Sequence, residues 1–482
     1  MANPEVKNYV ARQLTEQAKI LRLSAYDRDS KAYLKRYFYY RLDQYARNFL
    51  EAGGEPRWLM IPGLRGVGKT TVLAQLFFAY QNRFNGRVLY VSLDDIVNKL
   101  GSNLFAVLDA YEELLGESFS SLKDNVLLLV DEVHFDPKWQ VALKSLYDKS
   151  RRVFIVSTGS SAIAINRTAD VARRSLVEKM YPLKFTEYVM LDNTVAKRKE
   201  IRFPSKLGEQ IAQALFESND ADEAYQRLKL LETQIRGYWQ KIDIHSLSRY
   251  IKYYSLPSVL LYNDDAAIYT IMNSVVDRIV EKDLPTMQSF STAVLAKVPA
   301  LLFLVASSGT RSLSAFAKDL KDIDEKTLAA VFRVLEEAEL LLRIYPFSLS
   351  APRRVRKPSK YLFFASSIRA ALIHLTDSRA IDTQHKGKLL EDSVGMYLYR
   401  YFAGVIGASL GYDDMQGGAD FIIEARGKRI VVETGWNKRD GNQAIQTMKN
   451  TKATYGLLVT NSSALENKDS VLTVPFEVFF LL

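Results

Sequence analysis

The chain has 482 residues, 48% of them hydrophobic and 25% charged, with a net charge of +10, no cysteine and four histidines. This length allows about three domains, and the composition is that of an ordinary soluble globular protein. The absence of cysteine excludes a disulfide scaffold, thiolate zinc sites and cysteine nucleophiles, and four scattered histidines leave little for a histidine-built metal centre. No apolar run approaches the ~20 residues that a membrane-crossing helix requires. The first residues, "MANPEVKNYVARQLTEQAKI", are charged and lack an apolar stretch before a cleavage signal, so a cytoplasmic protein without membrane association is expected.

In chain order, residues 4 to 52 read as helical, with apolar positions at three- and four-residue spacing until "EAGGEP" breaks the pattern. Buried strands follow at "RWLMIP", "RVLYVSL", "NVLLLVDE" and "RVFIVSTG", separated by helical segments. This alternation predicts an α/β fold around a parallel sheet. Residues 204 to 285 read as helices rich in Tyr, Lys and Glu. Between 292 and 346 short helices precede an apolar "LLLRIYPF". Beyond Pro358 the pattern is mixed: a strand "KYLFF", a helix from Ile381 to Tyr401, then strands "ADFIIEA", "KRIVVET", "YGLLVT" and "VLTVPFEVFFLL". The expected divisions are 1–52 (helical), 53–203 (α/β core), 204–285 (helical lid), 286–350 and 351–482.

"GLRGVGKT", Gly63 to Thr70, fits G-x-x-x-x-G-K-[ST] between a strand and a helix. Gly63, Gly66 and Gly68 let the backbone curl, so that N–H groups of Leu64, Arg65, Val67 and the residues up to Thr71 form an anion nest at a helix N-terminus. Lys69 would reach the β- and γ-phosphates of ATP and the Thr70 hydroxyl would ligate Mg²⁺. "VLLLVDE" places Asp131 and Glu132 at the tip of a buried strand, where ligands bind in open α/β sheets. Asp131 suits the Mg²⁺ shell and Glu132 suits activation of a water. At the end of "RVFIVSTGSS", Ser160 is the first candidate to sense the γ-phosphate and Thr158 the second. Arg173 and Arg174 either reach a neighbouring subunit's site or end a solvated helix.

The densest basic stretch is "RRVRKPSK", Arg353 to Lys360, with five basic residues and no acidic one. It is either a solvated loop or a contact for phosphate backbone. Residues 292–346 suggest a winged helix whose second helix carries the acids Asp324, Glu325, Glu336, Glu337 and Glu339 among positions read as exposed. A groove-reading helix usually opens with Lys, Arg, Asn or Gln, so a structural or protein-contacting role is the expectation.

The motifs "GLRGVGKTT", "LLLVDEVH", "VSTGSSA", "MYPLKFTEY", "LPSVLLYND", "DRIVEKDLP", "PSKYLFF", "GKLLEDSVGMYL", "GADFIIE", "YGLLVTN" and "VPFEVFFLL" run the length of the chain. In order and spacing it resembles bacterial and archaeal AAA-type (AAA+) P-loop ATPases with a C-terminal restriction-endonuclease-like domain of unknown function. The resemblance implies an ATP-hydrolysing core, a helical lid, a winged helix and a nuclease-like end, with DNA as a partner and assembly into homo-oligomers. It also implies a second metal site at Glu391, Asp420 and Glu433. Nuclease domains of this type carry a lysine two residues after the last acid; here that position is Gly435, and Lys438 or Gln443 could point inward instead. Either Lys438 has taken the lysine's role, or the site no longer cuts and the domain only binds. The functions implied are therefore three: an ATPase acting on or with DNA, a nucleotide-dependent protein switch, or an ATP-gated nuclease.

Overall fold

The structure is a computed structural model, and it describes residues 3–160, 168–192, 201, 203–204, 206–347, 357–375 and 383–482. The basic stretch at 353–356 lies outside the described residues. Two compact units are present: Met1–Tyr181 with Lys282–Ser289 and Glu337–Glu339, and Pro182–Glu281 with Phe290–Glu336 and Leu340–Leu482. Pro182–Asp192, expected in the core, therefore clusters with the second unit. Among the described residues no helix is long and apolar enough to cross a membrane.

In the first unit the strands are β1 (Trp58–Pro62), β2 (Val88–Ser92), β3 (Val126–Asp131), β4 (Val153–Gly159) and β5 (Leu176–Val177). They pair in the order β2-β3-β4-β1-β5, all parallel. Every residue of β1, β3 and β4 is buried, as continuous apolar runs require when helices cover both faces of a sheet. Trp58, Leu89, Leu128 and Ile155 share a core with Ile96, Val107, Tyr111 and Leu143 from the flanking helices and with Val6 and Val10 from the N-terminal helix Pro4–Ala25. The helical run expected over 4–52 forms two helices, Pro4–Ala25 and Tyr37–Ala52. Gln17 on the first of them treats β2 as a strand would: its amide donates to Val88 O (2.8 Å) and accepts from Tyr90 N (2.9 Å). A sheet edge with free N–H and C=O groups is thereby satisfied.

The second unit begins with helices, including Leu207–Glu217, Ala221–Trp239 and Asp265–Arg278. Helices Thr292–Ser307, Leu313–Leu320 and Glu325–Glu337 then lead into an antiparallel pair, β6 (Leu341–Pro346) and β7 (Lys360–Phe363). A bridge between Arg311 and Ser359 ties the loop after the first of these helices to that pair. The remaining strands are β8 (Ser409–Tyr412), β9 (Phe421–Ala425), β10 (Lys428–Gly435), β11 (Tyr455–Thr460), β12 (Glu466–Lys468) and β13 (Val471–Pro475). The described residues form one mixed sheet in the order β12-β13-β11-β10-β9-β8-β6-β7. β6 and β7, on either side of the expected boundary at 350, are thus neighbours in the same sheet as the C-terminal strands.

Two expectations change here. The final run "VLTVPFEVFFLL" is strand only to Pro475; a helical turn, Phe476–Phe479, follows. Proline lacks the N–H that would extend the ladder and has a φ suited to opening a helix. Glu339 is not exposed but buried, with the Lys179 ammonium against it in the first unit. Glu336 and Glu337 are half-buried, while Asp324 and Glu325 are exposed as expected.

Candidate functional site

Parallel pairing brings the C-terminal ends of β1, β3 and β4 together: Ile61 lies beside Thr158, Pro62 beside Gly159 and Val130 beside Ser157. The loop after β1 is the glycine turn. Gly66 and Gly68 have φ of 86° and 98°, the left-handed region that a side chain resists. A Cβ on Gly63 would stand 2.5 Å from Met180 O. Gly68 caps the helix Lys69–Tyr80, so the helix N-terminus faces the same loop. Leu64 and Val67 are fully buried and anchor the turn, while Thr71 is half-buried on the helix. Arg36 clamps it from outside, donating to Val67 O (2.8 Å) and Tyr181 O (3.0 Å).

Lys69 is buried and folds onto the loop, donating to Gly63 O (2.8 Å) and Leu64 O (3.4 Å). Those are weak anchors for an ammonium, which a phosphate would outbid. Thr70 donates to Asp131 Oδ2 at 2.7 Å, Tyr90 to the same oxygen at 3.2 Å, and Thr158 to Asp131 Oδ1. Burial, with Asp131 next to it, raises the Tyr90 pKa well above the ordinary tyrosine value, so its O–H stays a donor. Thr158 Oγ1 also accepts from Glu132 N at 3.2 Å. Glu132 sits at φ 54°, a conformation non-glycine residues rarely adopt and one found at functional sites. Thr70 and Asp131 present hard oxygen donors at one point, so the residues fit Mg²⁺ carried with a nucleotide.

Ser160, the first candidate at this strand end, makes no side-chain contact with the acid pair: its N–H lies 3.4 Å from His134 Nδ1, and its buried Oγ has no partner among the described residues. Thr158 is the residue on both acids. Arg173 is exposed and paired with Asp170, and Arg174 donates to Asp148 Oδ1 at 2.6 Å, so both are engaged by acids of their own chain. Sequence reasoning missed Asp283. It is buried in the first unit, 3.2 Å from Arg65 Nη1 and 3.9 Å from His134 Nε2, while His134 Nδ1 lies 3.3 Å from Glu132 Oε2. A loop arginine is thus bonded to a residue 218 positions away, and His134 stands between that residue and Glu132. The signal on hand was that "DRIVEKDLP" is one of the motifs that carry the family resemblance.

In the second unit Glu391, on the helix Thr383–Phe402, Asp420, just before β9, and Glu433, on β10, do converge. Asp420 N donates to Glu433 Oε2 (3.3 Å), and Thr434 N and Oγ1 donate to Asp420 Oδ2 (2.9 and 2.8 Å). Lys438 folds back onto Glu433 Oε1 and Gln443 Oε1. A Cβ on Gly435 would stand 2.9 Å from Lys438 Cβ, so the glycine makes room for that lysine. Lys360 closes the basic stretch read as a solvated loop or a phosphate contact and opens the expected strand "KYLFF"; it does start β7, and its side chain lies against Glu391 Oε1 and, at 3.2 Å, Asp420 Oδ1. Burial pushes the Glu391 pKa up to about 7, against the opposing charge of Lys360. Burial and the charge of Asp420 push Glu433 up to about 7 as well. Burial also opposes ionisation of Asp420, but Lys360 and Thr434 hold its pKa below the ordinary carboxylate value. Among the described residues no group of three or more His, Cys, Asp or Glu side chains is arranged to hold a metal ion.

A phosphate loop after β1 and an acid pair closing β3 define a P-loop nucleotide-binding unit, and residues 55–189 match the family described as "AAA domain". Residues 244–379 match a domain of unknown function, DUF8612. The chain belongs to the family of the uncharacterized protein MJ1637 of Methanocaldococcus jannaschii, to which it is 32% identical over 99% of its own length and 94% of that protein's. An uncharacterized Haemophilus influenzae protein is 22% identical over 64% of this chain and 68% of its own. Among solved structures, the Aeropyrum pernix ORC1 protein in complex with DNA aligns at 14% identity with a TM-score of 0.33, covering 70% of this chain and 91% of that one. AMPPCP-bound DnaA from Aquifex aeolicus aligns at 18% identity with a TM-score of 0.28, over 65% and 92%.

Proposed function

We propose that this protein binds and hydrolyses ATP with Mg²⁺ in its first unit and acts on or with DNA through its second. The observation that carries the first half is the joining of Thr70, Asp131, Thr158 and Glu132 by hydrogen bonds beside the glycine turn and Lys69. In this reading the loop N–H groups and Lys69 bind the β- and γ-phosphates. Thr70 and Asp131 hold Mg²⁺, which when bound screens the phosphate charge. Glu132 orients and deprotonates the attacking water, and its left-handed backbone aims the carboxylate out of the sheet. Arg173 and Arg174 remain candidates to act in a neighbouring subunit of a homo-oligomer, each after release from its own acid.

The DNA half rests on the net charge of +10 and on the C-terminal elements. Three helices followed by an antiparallel pair suit a winged helix. The helix, mixed sheet and converging acids suit a nuclease-like domain. The engagement of all three acids by the chain's own donors favours a domain that binds over one that cuts. ATP turnover measured with and without duplex, single-stranded and branched DNA, for the wild type and Glu132→Gln, tests both halves. Glu132→Gln should abolish turnover while retaining ATP, and at least one DNA form should raise the wild-type rate. A rate indifferent to every DNA form would leave the ATPase standing and remove DNA in favour of a protein partner.

A further inference from the structure

Three carboxylates gathered at a sheet end repel one another and require cations. The chain supplies its own. Lys360 opens β7, with its backbone fixed by pairing to Ile344, and its side chain is 13% exposed. An ammonium has three donors. That of Lys360 donates to Asp420 Oδ1 and the Asp420 carbonyl, both at 3.2 Å, and is ion-paired with Glu391 Oε1. The rings of Tyr412 and Phe421 flank the charge, with centroids 5.6 and 5.4 Å away. Lys438 does the same for Glu433. Five of the six carboxylate oxygens are therefore occupied: Asp420 Oδ1 by Lys360, Asp420 Oδ2 by Thr434, Glu433 Oε1 by Lys438, Glu433 Oε2 by Asp420 N and Glu391 Oε1 by Lys360.

We propose that Lys360 takes the place of a divalent cation between Glu391 and Asp420, so that the carboxylate cluster of the second unit is closed to metal. The proposal rests on the nuclease-like reading for the identity of the three acids. Mg²⁺ and Mn²⁺ demand several oxygens at ~2.0–2.2 Å in near-octahedral array. To enter, either ion would have to expel a nearly buried ammonium that is bonded to Asp420 and paired with Glu391. The proposed ATP site shows the opposite arrangement: among the described residues Asp131 accepts from the hydroxyl groups of Thr70, Tyr90 and Thr158, and Lys69 donates to loop carbonyls. Burial works against the charge on Lys360, yet Glu391 and Asp420 keep its pKa above the ordinary lysine value.

The test is Mn²⁺ binding to the nucleotide-free, full-length protein, followed by calorimetry and by the electron paramagnetic resonance signal of free Mn²⁺. The Asp131→Asn background silences the ATP site. The parent should bind no Mn²⁺ saturably, and Lys360→Met should bind it at least about tenfold more tightly. Adding Asp420→Asn should then abolish that gain. Lys360→Gln carries the same expectation should the methionine variant fail to fold. Binding by the parent as tight as by the variant would overturn the proposal while leaving a metal-dependent nuclease site intact. Binding by neither would overturn it and remove the metal site from the nuclease-like reading as well.

Discussion

Replacing Thr158 with valine keeps the side chain's size and removes one oxygen from the centre of the proposed ATP site. That oxygen, fully buried, donates to Asp131 and accepts from Glu132 N. Losing a hydrogen bond to an ionised partner costs about 1.5–3 kcal/mol, and a buried N–H left without an acceptor costs about 1–3 kcal/mol. These two effects share one group and do not add fully, so about 3 kcal/mol of destabilisation is expected. If about 1.5–3 kcal/mol of that holds the acids in their working positions, kcat for ATP falls by about 10- to 100-fold. KM should stay within about twofold, because the substitution leaves the glycine loop and Lys69, the groups proposed to bind the phosphates, unchanged. Steady-state ATPase kinetics and urea unfolding of the first unit measure both effects. Thr158→Ser should recover most of each, since it restores the hydroxyl. A valine variant within about 0.5 kcal/mol and twofold in kcat of the wild type would refute the assignment of Thr158 over Ser160.

Asp283→Asn should raise KM for ATP several-fold with a smaller effect on kcat, because it removes the charge that holds Arg65 of the phosphate loop; steady-state kinetics separate the two. Arg369 donates to both oxygens of Asp392 (2.6 and 2.8 Å) and to three backbone carbonyls, and both side chains are buried. Arg369→Met should destabilise the second unit by about 3–5 kcal/mol, and Asp392→Leu added to it should recover most of the loss, as read by the urea midpoint. Glu433 gives a pH dependence. Its folded pKa, pushed to about 7 chiefly by burial, lies above the ordinary 4.5, so the folded state binds that proton more tightly. The resulting stabilisation is fully present below 4.5 and is lost as pH rises through about 7. The thermal midpoint of the second unit should therefore fall between pH 5 and 8, and Glu433→Gln should flatten that fall.

The phosphate loop and the acid pair were legible because their chemistry is local. Gly63 to Thr70 is one turn between a strand and a helix, and Asp131 and Glu132 are adjacent, so a short window of sequence carries both the geometry and the groups. Asp420 and Glu433 stand beside apolar runs that read as strands, whereas Glu391, in the middle of a helix, joined them only through the family resemblance. What the sequence left open is what register and pairing decide. Thr158 and Ser160 stand two residues apart at the end of one predicted strand, but β4 stops at Gly159, and the parallel register with β1 and β3 sets Thr158 on Asp131. Lys360 opened a legible strand, but the direction of its side chain did not follow from its basic neighbours; pairing of β7 with β6 turns it toward acids 31 and 60 positions further on. Asp283 comes to Arg65 across 218 residues. Local sequence determined the chemical groups and their immediate backbone, because turns and amphipathic runs depend on near neighbours. Tertiary structure alone decided which charges meet, because that follows from strand order and chain return.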